Sequence, residues 1–503
     1  MNRAFLRSLH EEHLEEIAAL YERRFALLDD TEIDHEDIAD LEARLEAHLD
    51  ALVVGGEPAL QLCAERALDA DAGELFGALC LLCRQGRYDL FEAALVRFED
   101  EEHEGQPPPP AAPESSEDDE DELPLAEMLS ALASELKVES PPDEDEDEDE
   151  PGDDEEDEDE DEDEDEQGPS PAQALGDALC TEAPVAWQGK LVALLEQAPS
   201  SVVGAVARMA AARGLRIGPA IVAAAPRVGS GPSMAAVLWA LGRTREREAV
   251  SLLSDWARAL QRDEAPVATL ALLRFGDPAM LDFLARAAST HSWALSMLAI
   301  AGGPTVAPII HARLARPEAT AEEIVAAGLF GDPVVVAPLL GMLGGSHSEA
   351  VVEALYLVTG AALFETVLEP VVEVDAMEPL PNGEPDPRDH VEVQRLSQDP
   401  EAWTQWWSEH ASAFTAGRRY RLGQLASPEV LGATVHRFVL SRAARQLAAD
   451  EVGLRYWPQR DLDVDQWAPQ QQAALAGLPA LRDGDAVIAR SDGAWVFARA
   501  LMR

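Results

Sequence analysis

Apolar positions recur at helical spacing along most of the chain, and turns rich in glycine and proline interrupt them at nearly even intervals. Phe5, Leu6, Leu9, Leu14, Ile17, Leu20, Tyr21 and Phe25 mark one amphipathic helix over 4–28. Ile38, Leu41, Leu45, Leu49 and Leu52 mark a second over 36–53. Shorter helices are predicted at about 58–69, 73–85 and 87–99. Farther on, Gly276-Asp277-Pro278, Gly303-Pro304 and Gly331-Asp332-Pro333 each separate two apolar runs. Gly56-Glu57-Pro58, Gly86-Arg87 and Gly242-Arg243 occupy similar frames. Gly276 and Gly303 are 27 residues apart, and Gly303 and Gly331 are 28 apart. A period between roughly 20 and 50 residues marks stacked units, none of which buries its apolar face alone. Glycine takes the left-handed conformation that ends one helix, and proline in the first turn of the next forfeits no hydrogen bond. The pattern predicts an all-α fold built as a solenoid, with further breaks at Pro199, Gly214 to Pro219, Gly229 to Pro232, Gly242 and Pro317.

Four regions follow from the same reading. Residues 1–100 form an N-terminal helical module, and 171–365 carry the main repeats. Residues 366–503 form a C-terminal module, in which 371–398 reads as a long loop and a helix is expected near 429–450. A hairpin is expected around Ser491-Asp492-Gly493. Between the two helical lobes, 101–170 is predicted to be a disordered acidic linker. Asp143–Glu150 and Asp153–Glu166 are unbroken acid, and such a chain cannot bury enough apolar area to offset its ordering entropy. The segment 105–168 is accordingly expected to be dispensable for folding.

Charge sharpens this division. The net charge is −58, of which Glu99–Gln167, with 37 acids and one lysine, supplies −36 and the remainder −22. An acidic remainder opposes sequence-independent nucleic-acid binding. No apolar run is long enough to span a membrane, and the N-terminus becomes charged too soon for a signal peptide. Cys80 and Cys83 form a C-x-x-C inside an apolar helical run, and with Cys63 and Cys180 they read as core thiols in a reducing cytoplasm. His10 and His13 lie three apart, without the H-E-x-x-H spacing of a zinc helix, and His48 reads as a partly buried histidine. The acidic runs lack a calcium-loop pattern, and no nucleophile motif or phosphate loop occurs. No catalytic residue, metal or cofactor is assigned.

Two segments are candidates for partner binding. Leu125, Met128, Leu129, Leu132 and Leu136 fall on one face of a helix predicted at 123–138. That island is either an unpartnered fluctuating helix or a docking helix for an apolar groove. Trp406, Trp407, Arg418, Arg419 and Tyr420 combine aromatic rings and guanidiniums. They form either a recognition patch or the cap that covers the last repeat, together with Trp403, and the cap is favoured.

The repeat frame is similar to HEAT-like repeats. HLEEIAALYERR (13–24), DLEARLEAHLDAL (40–52), the tryptophan pair at 406–407 and GRRYRLG (417–423) resemble an uncharacterised proteobacterial HEAT-like repeat family. The acidic insertion is longer than that family implies. The family carries no assigned activity, and the association of its members with type VI secretion genes implies an accessory role. The function expected is a protein-binding scaffold, adaptor or chaperone. Its rivals are a lyase-like or cofactor-handling HEAT-repeat enzyme and an acidic sink for basic partners.

Overall fold

The computed structural model describes residues 3–30, 35–98, 168–370 and 390–502. The leucine-rich island at 123–138 and the acidic runs lie outside the described residues. The chain is mostly helical, with little strand. No described helix is long and apolar enough to cross a membrane.

The N-terminal module is α1 (Arg3–Leu27), α2 (His35–Gly55), α3 (Glu57–Arg66), α4 (Ala72–Arg84) and α5 (Tyr88–Ala94), close to the spans the periodicity predicts. After the insertion come α6 (Pro171–Glu182), α7 (Gln188–Leu194), α8 (Ser200–Arg213), α9 (Gly218–Ala224), α10 (Pro232–Thr244) and α11 (Val250–Arg258). Then follow α12 (Ala265–Leu273), α13 (Ala279–Ala287), α14 (Ser292–Ala301), α15 (Ala307–Leu314), α16 (Ala321–Phe330), α17 (Val336–Leu340) and α18 (Ser348–Thr359).

Even-numbered helices from α4 to α18 pack on one another in succession, and α5, α9, α11, α13, α15 and α17 pack against their sequence neighbours. From α6 onward the even helices begin at 171, 200, 232, 265, 292, 321 and 348, which is 27–33 residues apart. They are rich in alanine because neighbouring helices approach closely. Gly242 shows how close: a Cβ there would lie 2.5 Å from the Cα of Ala271. Gly242 is therefore a helix-contact residue inside α10, not the expected break. The left-handed residue that ends α10 is Arg245, at φ 50°.

The Gly-Asp-Pro triplets do fall between helices, Gly276–Pro278 after α12 and Gly331–Pro333 after α16. In both, the aspartate accepts a backbone N–H two residues on, Ala279 for Asp277 and Val334 for Asp332. Asp332 also accepts the Gly417 N–H with both oxygens, at 3.3 and 3.2 Å. Asp277→Ala should cost about 0.5–2 kcal/mol, as for a lost helix cap. Asp332→Ala should cost more, because the Gly417 N–H loses its acceptor too. Urea unfolding of the two variants checks the order.

The C-terminal region begins with a hairpin, β1 (Phe364–Pro370) and β2 (His390–Leu396), that pairs Phe364 with Leu396. The expected loop over 371–398 thus includes a strand. Next come α19 (Pro400–His410), the short strands β3 (Tyr420–Arg421) and β4 (Gln424–Leu425), α20 (Pro428–Thr434) and α21 (Arg442–Tyr456). The single helix expected near 429–450 is two, because Ser441 caps a new start by accepting the Ala444 N–H. The chain continues through α22 (Ala468–Ala476), α23 (Ala480–Gly484), β5 (Val496–Phe497) and β6 (Ala500–Leu501). The last hairpin turns at Ala498-Arg499, both at positive φ, and not around Gly493. Such a turn normally announces itself by Asn-Gly, whereas this hairpin turns at Ala498-Arg499.

The C-terminal region is not restricted to the end of the helix row. There, α19 packs on α17 and β3 on α18, but α21 lies against α14 and α16, and α22 against α2. Its seats on the helix row are the turn glycines. Gly331 lies so near Tyr420 that a Cβ would be 2.5 Å from the Tyr420 carbonyl oxygen, and Gly360 is equally close to Leu422. Gly276 adjoins Trp457 and Ala498, and Gly303 adjoins Met502.

Candidate functional site: an arginine-lined cleft

Farther back along the row, the seating stops. Gly214, which ends α8 at φ 65°, has no atom within 4 Å of where its Cβ would be. The C-terminal ends of α6, α8 and α10 instead face the segment 458–470 across a cleft of about 1100 Å³.

Arg208, Arg213, Arg216, Arg243, Arg245 and Arg460 line it. Two of these have a local reason to be there. Arg213 and Arg243 sit in the last turns of α8 and α10, where cations oppose the negative end of the helix dipole. Arg213 Nη1 approaches the Thr181 carbonyl at 3.5 Å, at the end of α6. Arg245 donates to the Arg274 carbonyl at 2.9 Å and lies 4.3 Å over the Trp457 ring. Burial lowers its pKa. Its left-handed backbone is unusual for a side chain with a Cβ.

The carboxylates of the cleft are mostly engaged. Asp177 accepts from Tyr21 Oη at 2.8 Å and pairs with Arg208 at 3.0 Å. Asp177, ahead of burial's opposing effect, holds the Arg208 pKa above its ordinary value. Asp463 pairs with Arg243 at 3.1 Å, Asp461 with Arg274 at 2.8 Å and Asp465 with Arg442 at 2.7 Å. Arg216 and Arg460, both exposed, make no hydrogen bond or ion pair among the described residues. Both line the cleft, one following α8 and one on the 458–470 segment.

Trp467, in the cleft lining, ends an aromatic stack. Tyr21 stacks on Phe76 at 4.2 Å, Phe76 on Trp467 at 5.6 Å, and Arg24 lies 4.5 Å over Trp467. Cys180 also lines the cleft, but burial pushes its thiol up to about 12, too high for a thiolate at neutral pH. The chemistry on offer is oxyanion recognition by planar guanidinium forks.

The sequence's own candidates are placed elsewhere. Trp403, not Trp406, is the buried anchor, with its indole N–H on the Ser397 carbonyl at 2.7 Å. Trp406 and Trp407 are half-buried and meet Tyr420 through Phe414, with ring centroids 6.4, 5.2 and 4.8 Å from it. Arg418 is exposed and donates to the Asp492 and Gly493 carbonyls. Arg419 and Tyr420 are buried, so neither offers its side chain at the surface. Arg419 pairs inside the protein with Glu451.

His13 and His48 bring their Nδ1 atoms to 3.1 Å, and burial, with His13, lowers the pKa of His10. Among the described residues, no group of three or more histidines, cysteines or carboxylates is arranged to hold a metal ion. Cys63, Cys80, Cys83 and Cys180 are free thiols, and burial raises the pKa of each. The cleft escaped sequence reading because its arginines are spread from 208 to 460, with no local motif. The available signal was the recurrence of arginine at and just beyond helix ends, at Arg213, Arg216, Arg243 and Arg245.

Comparison with protein-family models, curated proteins and solved structures gives no match.

Proposed function

We propose that this chain is a non-catalytic protein-binding scaffold or adaptor, built as a HEAT-like α-solenoid with its C-terminal region seated along the helix row. The observation that carries this reading is the succession of contacts from α4 to α18, whose turn glycines receive the C-terminal region but leave an arginine-lined cleft open. Solenoids present extended surfaces to partners, and the groups in this cleft suit recognition better than bond-making. An accessory role in bacterial secretion, in the cytoplasm, rests on the family resemblance alone.

The test is affinity capture from the source cell with the full-length chain, followed by cross-linking. Specific protein partners should cross-link to residues flanking the cleft or to the odd-numbered helices. A chain that captures no protein above background, and instead retains a small molecule in stoichiometric amount, overturns the reading in favour of a cofactor-handling enzyme. Capture that disappears when residues 105–168 are deleted moves the function to the acidic insertion.

A further inference from the structure

We infer that the arginine-lined cleft binds a short carboxylate-rich peptide segment of a partner protein. This rests on the scaffold reading and specifies what the scaffold recognises.

Uncompensated positive charge comes first. Of the five cleft carboxylates, Asp177, Asp461, Asp463 and Asp465 are already paired and Glu246 is not, whereas Arg216 and Arg460 both lack an acceptor among the described residues. Arg213 reaches only a backbone carbonyl, at 3.5 Å. Arginines without carboxylates are notable in a chain with 96 acidic and 38 basic residues, where acids are in excess. Exposed guanidiniums lining one cleft match an anionic ligand that enters it.

Size and shape come second. At about 1100 Å³ the cleft exceeds the roughly 300–1,000 Å³ of small-molecule sites, which suits an extended segment. Its walls also carry Trp239, Trp467 and Pro458, apolar surface that a peptide's side chains and backbone can cover. The segment must be short. Outside Glu99–Gln167 the chain still carries −22, which repels a long polyanion such as nucleic acid.

The probe is a fluorescein-labelled peptide of alternating Asp and Glu, titrated into the full-length chain and followed by anisotropy. A second full-length chain, with the 22 acids of 143–166 replaced by Asn and Gln, removes competition from the protein's own carboxylates. Saturable binding is expected in at least one of the two, weakening as sodium chloride is raised. Arg216→Glu combined with Arg460→Glu should weaken it by about tenfold or more, the equivalent of a lost charge-assisted contact. Arg258→Glu, on the exposed face of α11 outside the cleft, should leave it unchanged. Both cleft residues are exposed and unpaired, so the melting temperature should not move. Should the double variant fail to fold, Arg216→Ala and Arg460→Ala are read singly.

No saturable binding in either chain overturns the inference, as does binding that the cleft substitutions leave intact. Displacement by inorganic phosphate, at a concentration where sodium chloride of equal ionic strength has no effect, also overturns it and assigns a phosphate site. A chain that captures a protein partner but binds no acidic peptide removes this inference and leaves the scaffold standing. A chain that binds the peptide but captures no protein leaves an anion site without a scaffold.

Discussion

Glu451→Gln should destabilise the protein by about 3–5 kcal/mol, the usual consequence of removing one partner from a buried ion pair. Glu451 lies on α21 among three guanidiniums, and all four side chains are at most 1% exposed. Its Oε2 accepts from Arg421 at 2.8 Å, and its Oε1 accepts from Arg455 at 2.7 Å and from Arg419. The same arginines donate to the last carbonyls of the helix row. Arg421 reaches Leu329 at 2.7 Å and Arg419 reaches Phe330 at 3.2 Å, both at the end of α16. Arg455 reaches Gly302 at 3.3 Å, just past α14. These carbonyls have no partner inside their own helices, so the arginines satisfy a backbone need as well as a charge. Nη1 of Arg419 and of Arg421 has no partner among the described residues, so no spare acceptor can replace the lost carboxylate. Glutamine keeps the shape and removes the charge. A urea midpoint equal to the parent's would show that the network contributes nothing. Glu318→Gln, in the exposed pair with Arg316, is the control and should have little effect.

The same network sets a pH dependence. Burial alone would raise the Glu451 pKa, but Arg419, Arg421 and Arg455 outweigh it and hold the carboxyl below its ordinary range. The folded pKa is thus below the unfolded one, and the unfolded chain binds more protons in the interval between them. The stabilisation is complete above the ordinary glutamate range and is lost as the pH falls through the lower folded value. The parent should therefore lose stability more steeply on acidification than Glu451→Gln does. Parallel slopes in the acid range would contradict this.

Much of the helical architecture was legible because α-helical periodicity is local. The five N-terminal helices fall within a few residues of their predicted spans, and the Gly-Asp-Pro turns lie between helices. What was not legible depends on contacts between distant segments. Glu451 reads in sequence as one more acid in an alanine-rich helix, and only the return of α21 onto α14 and α16 places three arginines around it. Arg419 likewise reads as a surface charge in a Gly-Arg-Arg-Tyr turn. Gly242 shows the converse error. A glycine near a helix end suggests a terminus, but here it permits close contact with Ala271 while a non-glycine residue takes the left-handed position. The cleft combines both difficulties, with one wall from helix ends near 213 and 243 and the other from 458–470.

Gly331→Ala should cost about 2–5 kcal/mol, more than the same change at another left-handed glycine, Gly86. At φ 78° and 66° respectively, both positions disfavour a Cβ, which costs roughly 1–2 kcal/mol. Nothing lies within 4 Å of the Cβ position at Gly86, so that penalty is the whole effect there. At Gly331 the Cβ would stand 2.5 Å from the Tyr420 carbonyl oxygen. The obstacle is backbone, and no side-chain rotation relieves it. Overpacking of this kind adds about 1–3 kcal/mol. Movement of Tyr420 away from α16 would also stretch its N–H bond to the Gly331 carbonyl, now 2.8 Å. It would draw with it Arg419 and Arg421, on either side, whose guanidiniums hold the end of the same helix. The difference between the two variants therefore measures the seating of the C-terminal region on the helix row, separately from backbone strain. Limited proteolysis should show the segment around Tyr420 cleaved faster in Gly331→Ala and unchanged in Gly86→Ala. Equal destabilisation by the two substitutions would mean that the turn glycines serve the helix ends alone and that the C-terminal region draws its attachment from elsewhere.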